Sequence, residues 1–120
     1  MGGWTSPPQA SGVGNTELWN GSAWTETTDL NSARYAVGAS STSSTNALVF
    51  GGYVTAASAV TEFWNGSSWT EVADMGTSRN YGAGAGPTST NAIVAGNSAN
   101  STATEEWSAA DFQIKSVTTS

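Results

Sequence analysis

The side chains able to do chemistry in this 120-residue chain are few, and most are carboxylates. Glu17, Glu26, Glu62, Glu71, Glu105, Glu106, Asp29, Asp74 and Asp111 stand against three cations, Arg34, Arg79 and Lys115, and the formal net charge is −6. Two carboxyls held at different pKa values can hydrolyse a glycoside, but no spacing here raises one pair above the rest. The chain has no His and no Cys, which removes imidazole bases, thiolate nucleophiles, disulfides and the usual zinc ligand sets. The three Asp lack the dense oxygen-ligand spacing of a calcium loop, and isolated Asp in turns normally bonds its own backbone. These residues predict no enzyme, no metal and no cofactor.

The charge balance also excludes partners. Three cations cannot neutralise a run of phosphates, so nucleic acid is not expected, and an anionic membrane surface repels the chain. No apolar run reaches the length of a membrane span, and the start Met1-Gly2-Gly3-Trp4-Thr5-Ser6 lacks the basic and apolar regions of a signal peptide. Export, if any, is expected to be encoded elsewhere. Only 10% of the residues are charged, against roughly 25% in ordinary soluble domains, and Ser, Thr, Ala and Gly fill the difference.

The elements that must position these groups are set by an internal repeat. Thr16-Glu17-Leu18-Trp19-Asn20-Gly21-Ser22-Ala23-Trp24-Thr25-Glu26 returns about 45 residues later as Thr61-Glu62-Phe63-Trp64-Asn65-Gly66-Ser67-Ser68-Trp69-Thr70-Glu71. Asp29, Arg34 and Asn46 return in the same register as Asp74, Arg79 and Asn91, and an eroded third copy begins at Thr104-Glu105-Glu106-Trp107, with Phe112 where the second tryptophan should stand. Short apolar runs between Gly, Asn and Ser clusters read as strands throughout, with no helical period. In the middle unit they fall at 34–39, 46–50, 60–64 and 68–73. Four strands in about 45 residues is the size of one propeller blade. The division expected is 1–32 as a partial first blade (its second to fourth strands), 33–76 as the second and 77–120 as the third.

Asn20-Gly21 and Asn65-Gly66 are hairpin turn residues. Whether the loop holds two residues or four, Trp19 and Trp24 share a face, diagonal in one case and opposite in the other. Trp64 with Trp69 repeats the pair, and Trp107 with Phe112 gives a weaker copy. The glutamates alternate with these tryptophans and are expected to face solvent. The small-residue runs Tyr35-Ala36-Val37-Gly38-Ala39 and Tyr81-Gly82-Ala83-Gly84-Ala85 suit innermost strands, where backbones converge.

At these residues the chain resembles the kelch-like β-propeller family. The matching positions are an arginine opening the inner strand (Arg34, Arg79), a glycine doublet closing the second strand (Gly51-Gly52, with Gly2-Gly3 ahead of it and Gly96-Asn97 after it), and the aromatic pairs. The wording T-E-x-W-N-G-S-x-W-T-E is similar to kelch-like repeats of structural proteins of bacteriophages, marine ones especially. The resemblance implies an all-β fold of four-stranded antiparallel blades and a non-enzymatic structural or adhesive role, with a glycan or protein surface as partner and a virion or extracellular location. Family members with oxidase activity hold copper by His and Tyr beside a Cys cross-link, which this chain cannot supply. The other readings weighed are an intracellular protein-interaction adaptor, a truncated or engineered propeller fragment and, more remotely, a carboxylate glycosidase.

Two complete units and part of a third fall short of a ring, so closure by self-association is expected, with a dimer of six blades preferred over a trimer of nine. The tryptophans Trp19, Trp24, Trp64, Trp69 and Trp107 read as packing between blades, while Trp4 stands outside the register and is the freer candidate for a ligand. Arg34 and Arg79 are candidates for an anion in a central cavity or, alternatively, for bonds to neighbouring carbonyls. Tyr35 and Tyr81, also candidate ligand positions, follow them by one and two residues and so should not share a face. The connections at 7–15, 54–59 and 97–103 share no pattern and are the expected variable loops.

Overall fold

Short β-favouring runs separated by turn residues form ten strands and no helix among the described residues, which in this computed structural model are 12–88, 91–96, 102–108 and 113–117, the last as backbone. The strands are β1 (Thr16–Trp19), β2 (Trp24–Thr27), β3 (Gly38–Ser43), β4 (Asn46–Phe50), β5 (Thr61–Trp64), β6 (Trp69–Val72), β7 (Ala83–Thr88), β8 (Asn91–Ala95), β9 (Thr104–Ser108) and β10 (Gln113–Val117). All pairings are antiparallel: β1 with β2 as a ribbon, then β3-β4-β5-β6 and β7-β8-β9-β10 as two four-stranded meanders. The chain is all-β, as its composition and turn spacing predict.

The hairpins settle the tryptophan geometry. Asn20 and Asn65 each accept two backbone N–H bonds with Oδ1 from the turn that follows, from Ser22 and Ala23 and from Ser67 and Ser68. Each loop therefore holds four residues, and Trp19 stands directly opposite Trp24 and Trp64 opposite Trp69. Ring centroids lie 5.5 Å and 5.3 Å apart, tilted by 47° and 45°, an arrangement favoured by the ring quadrupoles. The third unit departs from the expectation: Ile114, two residues beyond Phe112, is the register partner of Trp107. The intended partner Phe112 lies outside the described residues, as do Trp4, Gly2-Gly3 and Asp111.

The first strand of each four-stranded sheet begins later than the small-residue pattern suggests, at Gly38 and Ala83 rather than beside the arginines. Ala36 and Tyr81, each two residues after an arginine, have φ of 55° and 58°. Left-handed backbone breaks an extended run, so Arg34, Tyr35 and Arg79 make isolated bridges instead of ladder pairs. Beyond that break β3 and β7 come together as converging strands should. A Cβ on Gly38 would lie 2.9 Å from the Gly82 carbonyl oxygen, and one on Gly84 would lie 2.8 Å from that of Ala39. Only small residues permit this approach.

The core forms in two layers between the three sheets. Ala47, Val49, Trp64 and Trp69 project from one face of the middle sheet onto Leu18 of the β1-β2 ribbon and onto Leu30. Leu48, Phe50 and Phe63 project from its other face onto Ala92, Val94 and Trp107 of the last sheet. Each buried Leu or Phe contributes roughly 1.5–3 kcal/mol, and β4 is buried from Ala47 to Phe50 without alternation. Strand β4 thus has no solvent side.

One polar detail follows the same stacking. The Trp69 indole N–H donates to Thr16 Oγ1 of the ribbon at 2.9 Å. Thr61 is the same repeat position one unit later and is fully buried, yet its Oγ1 has no partner among the described residues. The donor it needs would come from the position of Trp69 in the last sheet, which the register assigns to Ile114. Thr16→Val should therefore cost about 1–2 kcal/mol by stranding an indole N–H, whereas Thr61→Val should be neutral or stabilising by about 1 kcal/mol. Urea unfolding of the two variants, followed by circular dichroism, measures the difference.

Candidate functional site

Arg34 and Arg79 are completely buried, and their guanidinium groups are engaged within the fold. Arg34 Nη1 donates to the carbonyls of Gly51 (3.1 Å) and Val60 (2.9 Å), and Nη2 donates to Glu62 Oε1 (2.9 Å). Arg79 repeats the arrangement on Gly96 and Ala103, with Glu105 as its carboxylate. The two candidates for a cavity anion are thus spent on a carboxylate and on two carbonyls that close the second strand and open the third. Burial lowers the Arg34 pKa below its usual value, and Glu62, then Glu71 and Asp74, oppose that shift.

The partners of these arginines correct the reading of the glutamates. Glu17, Glu26 and Glu71 are exposed, but Glu62 and Glu105 are buried. Alternation predicts a solvent side for a strand covered on one face, while the faces bearing Glu62 and Glu105 lie against a neighbouring unit. Their charge is met by donors as well as by arginine. Glu62 Oε2 accepts bonds from the backbone N–H of Asn31 at 2.8 Å and its side-chain amide at 3.0 Å, and Glu62 Oε1 accepts one from the Ser32 N–H. Glu105 likewise accepts the N–H of Gly76. Each glutamate therefore fastens the connection entering its own sheet, and Asn31 ties that connection to the Trp69 carbonyl as well. Arg and Glu recur together at the same repeat positions, a signal in the sequence that spacing by alternation does not capture.

The glycine doublet belongs to the same cluster. Gly51 and Gly52 have φ of 59° and 96°, and a Cβ on Gly51 would lie 2.9 Å from the Ser58 carbonyl oxygen and closer still to that of Arg79. The Gly52 N–H donates to that Arg79 carbonyl at 2.8 Å. Tyr35 stacks on Tyr53 with centroids 5.4 Å apart, whereas Tyr81 is exposed. The equivalent positions are Ala36 and Tyr81, joined by their shared left-handed backbone and by a Tyr81 N–H to Ala36 carbonyl bond of 2.8 Å. Tyr53 has no counterpart in the repeat, and nothing in the sequence marks it.

Tyr81 is thus an accessible aromatic among the described candidate ligand positions, and further aromatic surface lies outside that set. Trp19 is 50% exposed and Trp24 65%, although their counterparts Trp64 and Trp69 are buried. Within the single chain, therefore, the first pair is not packed between units as the second is. Trp64 and Trp69 lie under the preceding ribbon, and no described residue covers Trp19 and Trp24. A cleft of about 300 Å³ opens between that ribbon and the middle sheet, bounded by Thr16, Leu18, Trp24, Ser41, Ser44 and Trp64. On the opposite side of the molecule a depression of about 310 Å³ is lined by Ala85, Gly86, Asn91, Ala92, Ile93 and Glu106.

Among the described residues no group of three acidic side chains is placed to hold a metal, and no helix is long and apolar enough to cross a membrane. No protein-family model matches the chain. No curated protein matches it in sequence.

The buried clamp and the exposed counterpart of its glutamate make a direct comparison. Arg34→Met should cost about 3–5 kcal/mol, because it leaves Glu62 buried without its countercharge. Glu17→Gln, at the same repeat position as Glu62 but exposed, should change stability by less than about 0.5 kcal/mol. Denaturant midpoints of the two variants test this, and equal effects would contradict the assignment.

Proposed function

We propose that the chain is a non-enzymatic structural and adhesive module made of kelch-like propeller units, of the kind found in phage virions, that assembles with copies of itself. The observation that carries this reading is a mismatch of burial between equivalent faces. Trp64 and Trp69 are buried where a neighbouring unit covers them, and Trp19 and Trp24 are exposed at the end of the stack. Likewise Leu48 and Phe50 are buried, and Ile93, at the position of Leu48, is 44% exposed. A repeat stack with both apolar ends open is driven to cover them. With three units per chain, cyclic closure gives six units as a dimer or nine as a trimer.

In such an assembly the loop around 54–57, exposed on each protomer, is displayed once per chain. Repetition around a ring raises avidity for a glycan or protein surface without any new contact. The catalytic reading has little to support it: Glu62 and Glu105 are committed to arginines.

Native mass spectrometry of the 12.2 kDa chain across a concentration series tests the proposal. A discrete dimer or trimer is the expected result, and a folded monomer at every concentration overturns it.

A further inference from the structure

The open ends are not equivalent, and their shapes specify how two copies meet. Every covered interface inside the chain has the same polarity: the tryptophan-bearing face of one sheet lies on the opposite face of the sheet before it. The middle sheet sets Trp64 and Trp69 on the side of the ribbon that carries Thr16 and Leu18. The last sheet sets Trp107 on the side of the middle sheet that carries Phe50 and Phe63. The two ends of the stack expose one half of this interface each. Trp19 and Trp24 are the tryptophan half. Ala83, Ala85, Ile93, Ala95 and Glu106, all exposed, form the receiving half.

Volume separates the possible partners of that tryptophan half. Where the covering face bears two tryptophans, the receiving β-strand offers Leu18. Where it bears one, paired in register with Ile114, the receiving strand offers Phe63, backed by Phe50. Interiors hold a nearly constant packing density, so a bulkier covering face needs a smaller receiving one. At the open end of the last sheet the counterpart of Phe50 is Ala95 and that of Phe63 is Glu106, and the depression of about 310 Å³ beside Ile93 lies there. This shallow surface, with Ala83, Ala85 and Ala95 on it, leaves room for a pair of tryptophans. A pairing of two tryptophan faces does not use it.

Polar groups match in the same orientation. Neither the Trp19 nor the Trp24 indole N–H is bonded among the described residues, whereas the Trp69 indole reaches Thr16 of the unit before it. The threonine at that position on the open receiving face is Thr104, which is partly accessible, with the Glu106 carboxylate two residues along the same strand.

Resting on the self-assembly reading above, we infer that Trp19 and Trp24 of one copy dock head to tail into the Ile93–Glu106 depression of a second copy, with the Trp24 indole N–H directed to Thr104. The contact is heterologous, so each protomer uses both of its ends and a ring closes without a leftover face.

Two variants test it: Trp19→Ser/Trp24→Ser, which removes the inserting pair, and Ile93→Arg, which fills the receiving depression. All three positions are exposed in the protomer, so far-UV circular dichroism should match the unsubstituted chain. Each variant alone should weaken assembly on the order of 30-fold or more in dissociation constant, the range of an interface hot spot. Mixing the two, one of them labelled with 15N, should restore a heterodimer visible by native mass spectrometry, because one contact then joins the intact tryptophan face of the Ile93→Arg chain to the intact depression of the other. Assembly of Ile93→Arg at wild-type strength, with only the tryptophan variant impaired, would mean a symmetric tryptophan-to-tryptophan contact and overturn the inference. So would failure of the mixture to associate. Both results leave the self-assembly reading standing, whereas a monomeric wild-type chain removes that reading and this one together.

Discussion

A sheet that is apolar on both faces cannot stand alone, and the rest of this structure follows from that constraint. In β4 every residue from Ala47 to Phe50 is buried, which is possible only because the ribbon covers one side and the last sheet the other. Half-buried antiparallel sheets resolve the same problem by alternation, with polar residues outward. Here alternation returns only where the stack ends: β8 alternates between buried and exposed, and β1 buries Thr16 while Trp19 is exposed. The exposed side switches from one end of the stack to the other, as it must in a series of layers sharing one direction.

Stacking alone does not fix the connections between layers, and that task falls to the buried ion pairs. Arg34 holds the carbonyls on either side of the 51–60 connection and the carboxylate of Glu62, which in turn receives amides from the chain entering the sheet. Charge-assisted bonds of this kind are strong and directional, but they add stability only when nearly every donor and acceptor is satisfied. Arg34 Nε and Arg79 Nε are the remainder, without a partner among the described residues. The rigid cluster also explains how Ala36 and Tyr81 persist with positive φ, a conformation of order 1–3 kcal/mol above the usual basins that survives only where the surroundings determine it. Each sits two residues from a locked arginine.

Much of the fold is legible in the sequence because the repeat states it three times. The second strand of the middle unit, the hairpins and the facing tryptophans all appear where spacing puts them. What the pattern could not give is whatever depends on the neighbour rather than on the strand. Glu62 and Glu17 occupy the same position of the T-E-x-W repeat, yet one is buried against an arginine and the other is exposed. Trp24 and Trp69 differ in the same way. The late start of β3 and β7 depends on backbone strain at Ala36 and Tyr81, which no residue type announces, since neither is a glycine. The eroded third unit misleads for a simpler reason: Phe112 has the right chemistry, but the register sets Ile114 across from Trp107.

The account turns on Trp19 and Trp24 being an interface left open in the single chain, chemically the same as the pair buried one unit later. Fluorine NMR of the chain labelled with 5-fluorotryptophan, with each signal assigned by single substitution to Phe, examines this at the residues themselves. On going from dilute to concentrated protein, the Trp19 and Trp24 signals should shift toward those of Trp64 and Trp69, while Trp64, Trp69 and Trp107 stay fixed. Signals of Trp19 and Trp24 that hold their dilute positions at all concentrations would contradict the account.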